Sequence, residues 1–444
     1  MKVNLKTTPF PFKVDKFPFF YGWVILVAGT IGVLMSVPGQ TVGVSVFTDY
    51  LIDALKIERT SLSLAYLLGT VASGFMITRA GKYYDKYGAR VMAMVAGFML
   101  GLMAIGLTKV DGMVDVVAGL LKNVNREIIA VVFLVVGFWG IRFFGQGILT
   151  MVSRNMVMKW FEKHRGLANA LMGVFVSFGF SYSPRLLNDI IEIDGWRSAW
   201  GIIGAFVGVV FVVFAFIFFR DNARDCGLEP DGKLGKVKSK LFAKPAAREK
   251  EFTLKQALRK YSFWVFNISI ALNALFVTAF TFHVVSIFGE AGYSRETAIA
   301  VFLPASFIAV GFNFIGGWIS DYIKLKYLLM INMAGVIVAG IAMTQLKSFD
   351  SAYYLLIVGY GVVSGLMSVL NTVTWPRFFG VKHLGAISGY SMSWTVIASA
   401  LGPYLFSLSL KFSGTYTIGI SVAMVIAAVL FVMSFKANNV EADI

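Results

Sequence analysis

The sequence predicts an all-α membrane protein of twelve transmembrane helices arranged as two six-helix bundles. Three observations carry that expectation. Apolar residues make up 57% of the 444 positions, mean hydropathy is +0.74, and apolar runs near twenty residues long recur along the whole chain. Such a run crosses about 30 Å of hydrocarbon at about 1.5 Å per residue. The runs are continuous, not alternating in segments of about ten residues, which excludes a β-barrel.

In chain order the expected spans are Phe20–Phe47, Ser61–Ala80, Val91–Thr108, Ile128–Val152, Gly166–Asn188, Ser198–Phe219, Ser262–Phe288, Ala298–Ser320, Tyr327–Leu346, Ala352–Trp375, Leu384–Leu408 and Thr415–Phe435. The first is interrupted by Pro38-Gly39. Before it lie lysines and prolines with no small-residue cleavage site, so the first span is expected to be retained, not removed as a signal peptide. The polar stretch 220–261, rich in mixed charge, reads as a linker with one short surface helix near Leu254–Lys260. The expected division is therefore a tail over 1–19, a bundle over 20–219, the linker, a second bundle over 262–435 and a tail over 436–444.

Charge orients the chain. With both termini on one side, 29 of the 40 Lys and Arg fall on that side and nine on the other, while the acidic residues split evenly. By the positive-inside tendency the termini and linker are cytoplasmic. The same bias explains most of the net charge of +16, and because the positives are scattered over short loops, no nucleic-acid partner is expected. A single cysteine, Cys226, rules out an intrachain disulfide. No phosphate-binding Gly-rich loop, paired acids, metal cluster or nucleophile with a base appears, so no enzyme, cofactor, metal or ATP drive is expected.

The two halves carry a degenerate repeat. After the second span stands Gly81-Lys82-Tyr83-Tyr84-Asp85-Lys86-Tyr87-Gly88-Ala89-Arg90, and after the eighth Gly317-Trp318-Ile319-Ser320-Asp321-Tyr322-Ile323-Lys324. Each places an aspartate four residues after a glycine and follows it with a base; the second copy lacks the second glycine. The first copy resembles the signature loop between helices two and three of the major facilitator superfamily. Tyr21-Gly22-Trp23, Trp160-Phe161, Arg165-Gly166-Leu167-Ala168, Gly195-Trp196-Arg197 and His283 with Gly292-Tyr293-Ser294 resemble its monocarboxylate-porter and oxalate–formate-antiporter branches. The resemblance implies the major facilitator fold and alternating access in a monomer of a prokaryotic inner membrane. It also implies a gating role for Gly81, Asp85, Gly88, Arg90 and Asp321; the competing reading is that they stop spans and satisfy topology.

The residue that bears on substrate is Arg142, deep in an apolar run from Ile128 to Val152 that holds no acid. About fourteen residues from one end, or roughly 21 Å of helix, it is too deep for easy snorkelling. An arginine at mid-span costs about 2.5–3.5 kcal/mol on insertion scales. Three readings stand: an anionic substrate fills the vacancy, backbone carbonyls and hydroxyls of neighbouring spans hold the guanidinium, or its depth is less than it looks. Gln146 shares its face one turn on, and Arg185 lies near the outer end of helix five in line with Ser177 and Ser181. Asn371 in helix ten, Asn273 in helix seven and Gln40 beside the Pro38-Gly39 break join the candidate ligands, as do Tyr182 and Tyr390. The hydroxyl stripe Ser388, Ser391, Thr395 and Ser399 serves packing or cavity lining equally well.

The resemblance further implies a basic residue in helix eight and, for the oxalate type, a lysine in helix eleven. Neither Ala298–Ser320 nor Leu384–Leu408 contains Lys or Arg. The expectation is accordingly a carrier of small organic anions, by proton symport or anion exchange, with no particular carboxylate singled out. His283 is the candidate proton site. Efflux of amphipathic drugs and a transport-inactive receptor on the same fold are the alternatives, the former weakened by the lack of an embedded acid.

Overall fold

The computed structural model describes residues 11–121, 123–232, 251–349 and 351–437. All regular structure among them is helical. Among the described residues nine helices are long and apolar enough to cross a membrane. Two of these, Thr60–Leu107 and Arg165–Phe218, are of double length, and each is broken by one glycine at positive φ, Gly88 (+81°) and Gly195 (+79°). That left-handed conformation is open to glycine at little cost, and it is where a span turns back. Counting each double helix as two and adding the interrupted first span gives the expected twelve.

The first span is helical over Gly22–Leu34, tightens to a 3-10 turn at Val37–Gly39, and continues in short pieces to Leu55. It thus runs past the expected end at Phe47. The fourth is α-helical over Arg126–Ile141 and Thr150–Trp160 but π-helical over Arg142–Leu149. Its start is capped by Asn125, whose side chain accepts from the Glu127 N–H. The expected linker helix is present at Leu254–Ala257, fixed by a reciprocal box between Thr253 and Gln256; residues 233–250 of the linker lie outside the described residues. An additional helix, Val110–Leu120, was not foreseen. It buries Val110 and Val114 and holds Asp115 to Arg126 at 2.7 Å.

Two compact units emerge, and they do not follow the linker exactly. The first takes Met1–Glu162, Phe175–Lys244 and Ser388–Ser393; the second takes Lys163–Val174, Pro245–Ile387 and Trp394–Ile444. Within the first, the helices at Gly101 and Gly204 touch backbone to backbone, since a Cβ on Gly204 would stand 2.9 Å from the Gly101 oxygen. Small residues give apolar helices this close approach, which replaces the hydrophobic drive missing in lipid. The second unit is organised around Phe276, Phe280, Met333, Val336 and Leu356, all buried.

Candidate substrate site

Arg142 lies where the break in the first span meets the π-helical turn of the fourth. Gly39 sits so tightly against this turn that an added Cβ would collide with the Ile141 oxygen and lie 2.8 Å from Gly145 Cα. The guanidinium is 2% exposed. Its Nη1 donates to the Gly39 carbonyl and to Thr41 Oγ1, both at 3.2 Å. Its carbon stands 5.2 Å from the centre of the Tyr66 ring, and the Tyr66 hydroxyl is 2.9 Å from Thr41 Oγ1. Among the described residues Nε is buried without a hydrogen-bond partner, as is Gln146 Oε1. Protein oxygens therefore supply part of the coordination of Arg142. Both are neutral. They satisfy hydrogen bonds without cancelling the charge, and a buried donor left unmade costs about 1–3 kcal/mol.

Gln40 joins the same cluster. Its Nε2 donates to Ser36 Oγ at 2.9 Å and to Thr150 Oγ1 at 3.1 Å, and Thr150 in turn donates to Ser36. Arg142 and Gln40 are thus both bonded at the junction of the broken first span and the fourth, together with Thr41, Tyr66 and Thr150, which sequence reading did not pick out, while Gln146 lies on the same π-helical turn as Arg142. Thr41 and Thr150 lie in the broken first span and in the fourth, a positional signal that Tyr66, in the second span, lacks. Breaks of this kind, and π turns, free backbone groups and recur at functional sites.

The remaining candidates have their own settings. Tyr182 and Arg185 are exposed on the first unit, Tyr182 at 57%, and Asn371 and Tyr390 are half-buried. Asn273 lies inside the second unit. It is fully buried, and its Nδ2 donates to Asn332 Oδ1 at 2.6 Å, while Asn332 donates to the Val363 carbonyl at 3.1 Å. This amide relay ties three helices together, and Asn273 Oδ1 stays buried without a hydrogen-bond partner among the described residues. His283 sits in a ring of acceptors and hydroxyls: Nε2 is 2.9 Å from the Pro403 oxygen, and Nδ1 is 3.2 Å from the Tyr416 hydroxyl. Because a carbonyl only accepts, Nε2 carries the proton.

The loop aspartates have distinct settings. Asp321 caps the start of the helix beginning at Arg165, its Oδ1 accepting from the Gly166 N–H at 2.7 Å and Oδ2 from the Leu167 N–H at 3.1 Å. Gly166 must be glycine here, because a Cβ would collide with the Gly317 oxygen and Ser320 Oγ. Burial pushes the Asp321 carboxyl up to about 6, against the opposing pull of those two N–H bonds. On the first unit, Gly81 lies against Gly389, Asp85 is half-buried, and Gly88 makes the turn. Arg90 is 3% exposed and donates through Nε to the Phe219 carbonyl at 3.0 Å, capping the end of the sixth span. Beside it, and unforeseen, Lys159 and Asp221 form a buried ion pair at 3.1 Å, with Asp221 also accepting from the Ala89 N–H.

The family model of the Major Facilitator Superfamily matches residues 29–403. The chain belongs to this superfamily. Curated relatives include an oxalate:formate antiporter of Oxalobacter formigenes, 23% identical over 243 residues that make up 55% of this chain and 50% of the relative. The MFS-type transporter YhjX of Escherichia coli (strain K12) is 22% identical over 229 residues, 50% and 46% of the two chains. The chain thus spans about half the length of the curated relatives it matches. Among solved structures, the proton:xylose symporter XylE bound to 6-bromo-6-deoxy-D-glucose superposes with a TM-score of 0.62 at 15% identity, covering 95% of this chain and 98% of that one. A double-tryptophan XylE mutant gives 0.61 at 15% identity, with 94% and 96% covered. At this identity the likeness shows the fold. As a superfamily member the chain is an integral, multi-pass membrane protein of a transporter family.

Proposed function

We propose that this transporter carries small organic anions, carboxylates above all, by alternating access, with Arg142 pairing the anion inside the first unit. The single observation behind this reading is a buried guanidinium whose partners are neutral and whose Nε is unpaired among the described residues. An anion brought to it gains charge neutralisation that Gly39 and Thr41 do not provide, and the mid-membrane setting makes that gain larger than in water. Gln146 and Gln40 orient the bound group, and Tyr66 covers the guanidinium face. Resemblance to an oxalate:formate antiporter over half the chain supports the anion class. Outward of this site Arg185 and Tyr182 attract the anion, and Asn371 and Tyr390 complete its path. The Asp321 cap and the Gly81–Arg90 loop act as gates on the side of the linker, which is cytoplasmic in a prokaryotic inner membrane. His283 takes up the coupled proton, unless a counter-anion drives exchange, and the working unit is a monomer.

The test is competition for uptake into proteoliposomes by a panel of carboxylates, amines and sugars at pH 5.5 and 7.5. Carboxylates alone are expected to compete. Competition by lipophilic amines and none by carboxylates overturns the anion reading.

A further inference from the structure

At the end of the first unit that carries the linker, two buried arginines meet on one oxygen. Arg90, at the start of the third span, donates from Nε to the Phe219 carbonyl at 3.0 Å, and Arg220 donates to the same carbonyl from Nη1 at 2.9 Å. Arg220 Nη1 also donates to the Ile217 carbonyl at 2.9 Å. Arg90 Nη1 and Nη2, by contrast, are buried without a hydrogen-bond partner among the described residues.

No acid answers the Arg90 charge among the described residues. The groups that bear on it electrostatically are Arg220, Cys226 and Tyr21. Burial pushes the Cys226 thiol up to about 11, so it is uncharged at neutral pH, and the Tyr21 hydroxyl donates to the Phe218 carbonyl at 2.9 Å. Asp221, next to Arg220 in sequence, is already engaged: it pairs with Lys159 at 3.1 Å and accepts from the Ala89 N–H at 3.0 Å. Burial, and after it Arg220, pull the Arg90 guanidinium down to about 10, which leaves it charged at neutral pH.

A guanidinium whose Nε is used presents Nη1 and Nη2 as a fork for two oxygens of one anion. A second guanidinium beside it calls for a doubly charged anion with further oxygens, which a phosphate supplies and a carboxylate does not. The cover over the pair is light. The Phe12 ring lies 5.2 Å from the Arg220 guanidinium carbon and 6.0 Å from the Tyr21 ring, in a stretch before the first span whose described regular structure is a single 3-10 turn, Val14–Lys16.

We infer that Arg90 and Arg220 bind a phosphate dianion, free or as a monoester, at the linker end of the first unit. Inorganic phosphate and the headgroup of phosphatidic acid share this chemistry. The site is independent of Arg142 and of the carried anion.

The experiment is calorimetric titration of the full-length protein, delipidated in detergent, with inorganic phosphate, dihexanoyl phosphatidic acid and dihexanoyl phosphatidylcholine at pH 7.5. The parent is compared with Arg90→Lys, Arg220→Lys and Phe12→Ala, each first shown by its melting curve to be folded. Lysine keeps the charge and a donor for the Phe219 carbonyl but loses the fork, and either lysine variant that folds is enough for the comparison. The site predicts saturable binding of phosphatidic acid or inorganic phosphate, weakened about tenfold or more by a lysine variant. Saturable binding confined to Phe12→Ala supports the same site behind its cover. Phosphatidic acid binding without inorganic phosphate identifies the lipid source; equal binding of both identifies the free one. No saturable phosphate binding in the parent or Phe12→Ala, binding unchanged in a folded lysine variant, or phosphatidylcholine bound as tightly as phosphatidic acid overturns the inference.

Discussion

Arg142 Nη1 and the carbonyl oxygen of Gly39 lie 3.2 Å apart, joining the fourth span to the break in the first. The bond exists because Pro38 and Gly39 end the regular helix there, and because glycine alone lets the two backbones close on each other. A buried charge and a broken helix, each costly in lipid, thus support one another.

Gly39→Ala should therefore damage both. The added Cβ meets backbone at Ile141 and Gly145, and overpacking of this kind costs about 1–3 kcal/mol. The expected outcome is a lowered melting temperature in detergent together with loss of uptake, read on the same preparation.

Tyr66 separates two contributions. Tyr66→Phe removes the bond to Thr41 and keeps the ring, whereas Tyr66→Leu also removes the cation–π contact, worth about 0.5–2 kcal/mol. Uptake KM should rise little in the first and about two- to thirtyfold in the second.

For Asn273 the account predicts stability without specificity. Asn273→Ala breaks the bond to Asn332 and should lower stability by about 1–3 kcal/mol, while the KM for a transported carboxylate stays at the parent value. A changed KM with unchanged stability would return Asn273 to the substrate site.

Asp321 carries a pH signature. Its carboxyl in the folded protein sits at about 6, above its ordinary 3.8, so the folded state binds the proton more tightly than the unfolded one. Stability is then greatest below the ordinary value, falls as pH rises from about 4 to about 6, and is level above. Melting curves between pH 4 and pH 8 should show this slope in the parent and its absence in Asp321→Asn.

Much of this architecture is legible in the amino-acid sequence because lipid imposes long apolar runs, and because Gly88 and the loop charges mark where spans turn. Arg142 stands out for the same reason: no acid shares its run. What stayed hidden depends on the second partner of a contact. Nothing in the helix of Asn273 reveals its partner Asn332, which lies 59 positions away. The Val110–Leu120 helix is short and carries Asp111 and Asp115, so it resembles an ordinary loop. The π turn at Arg142–Leu149 has no periodic signal, since only a single turn is rewound.

The most direct test is counterflow of a radiolabelled carboxylate in proteoliposomes holding equal amounts of folded parent and Arg142→Gln. The account predicts that Arg142→Gln loses counterflow at least tenfold while its melting curve shows a folded protein. Counterflow at the parent rate in that variant would contradict the assignment of the anion to Arg142.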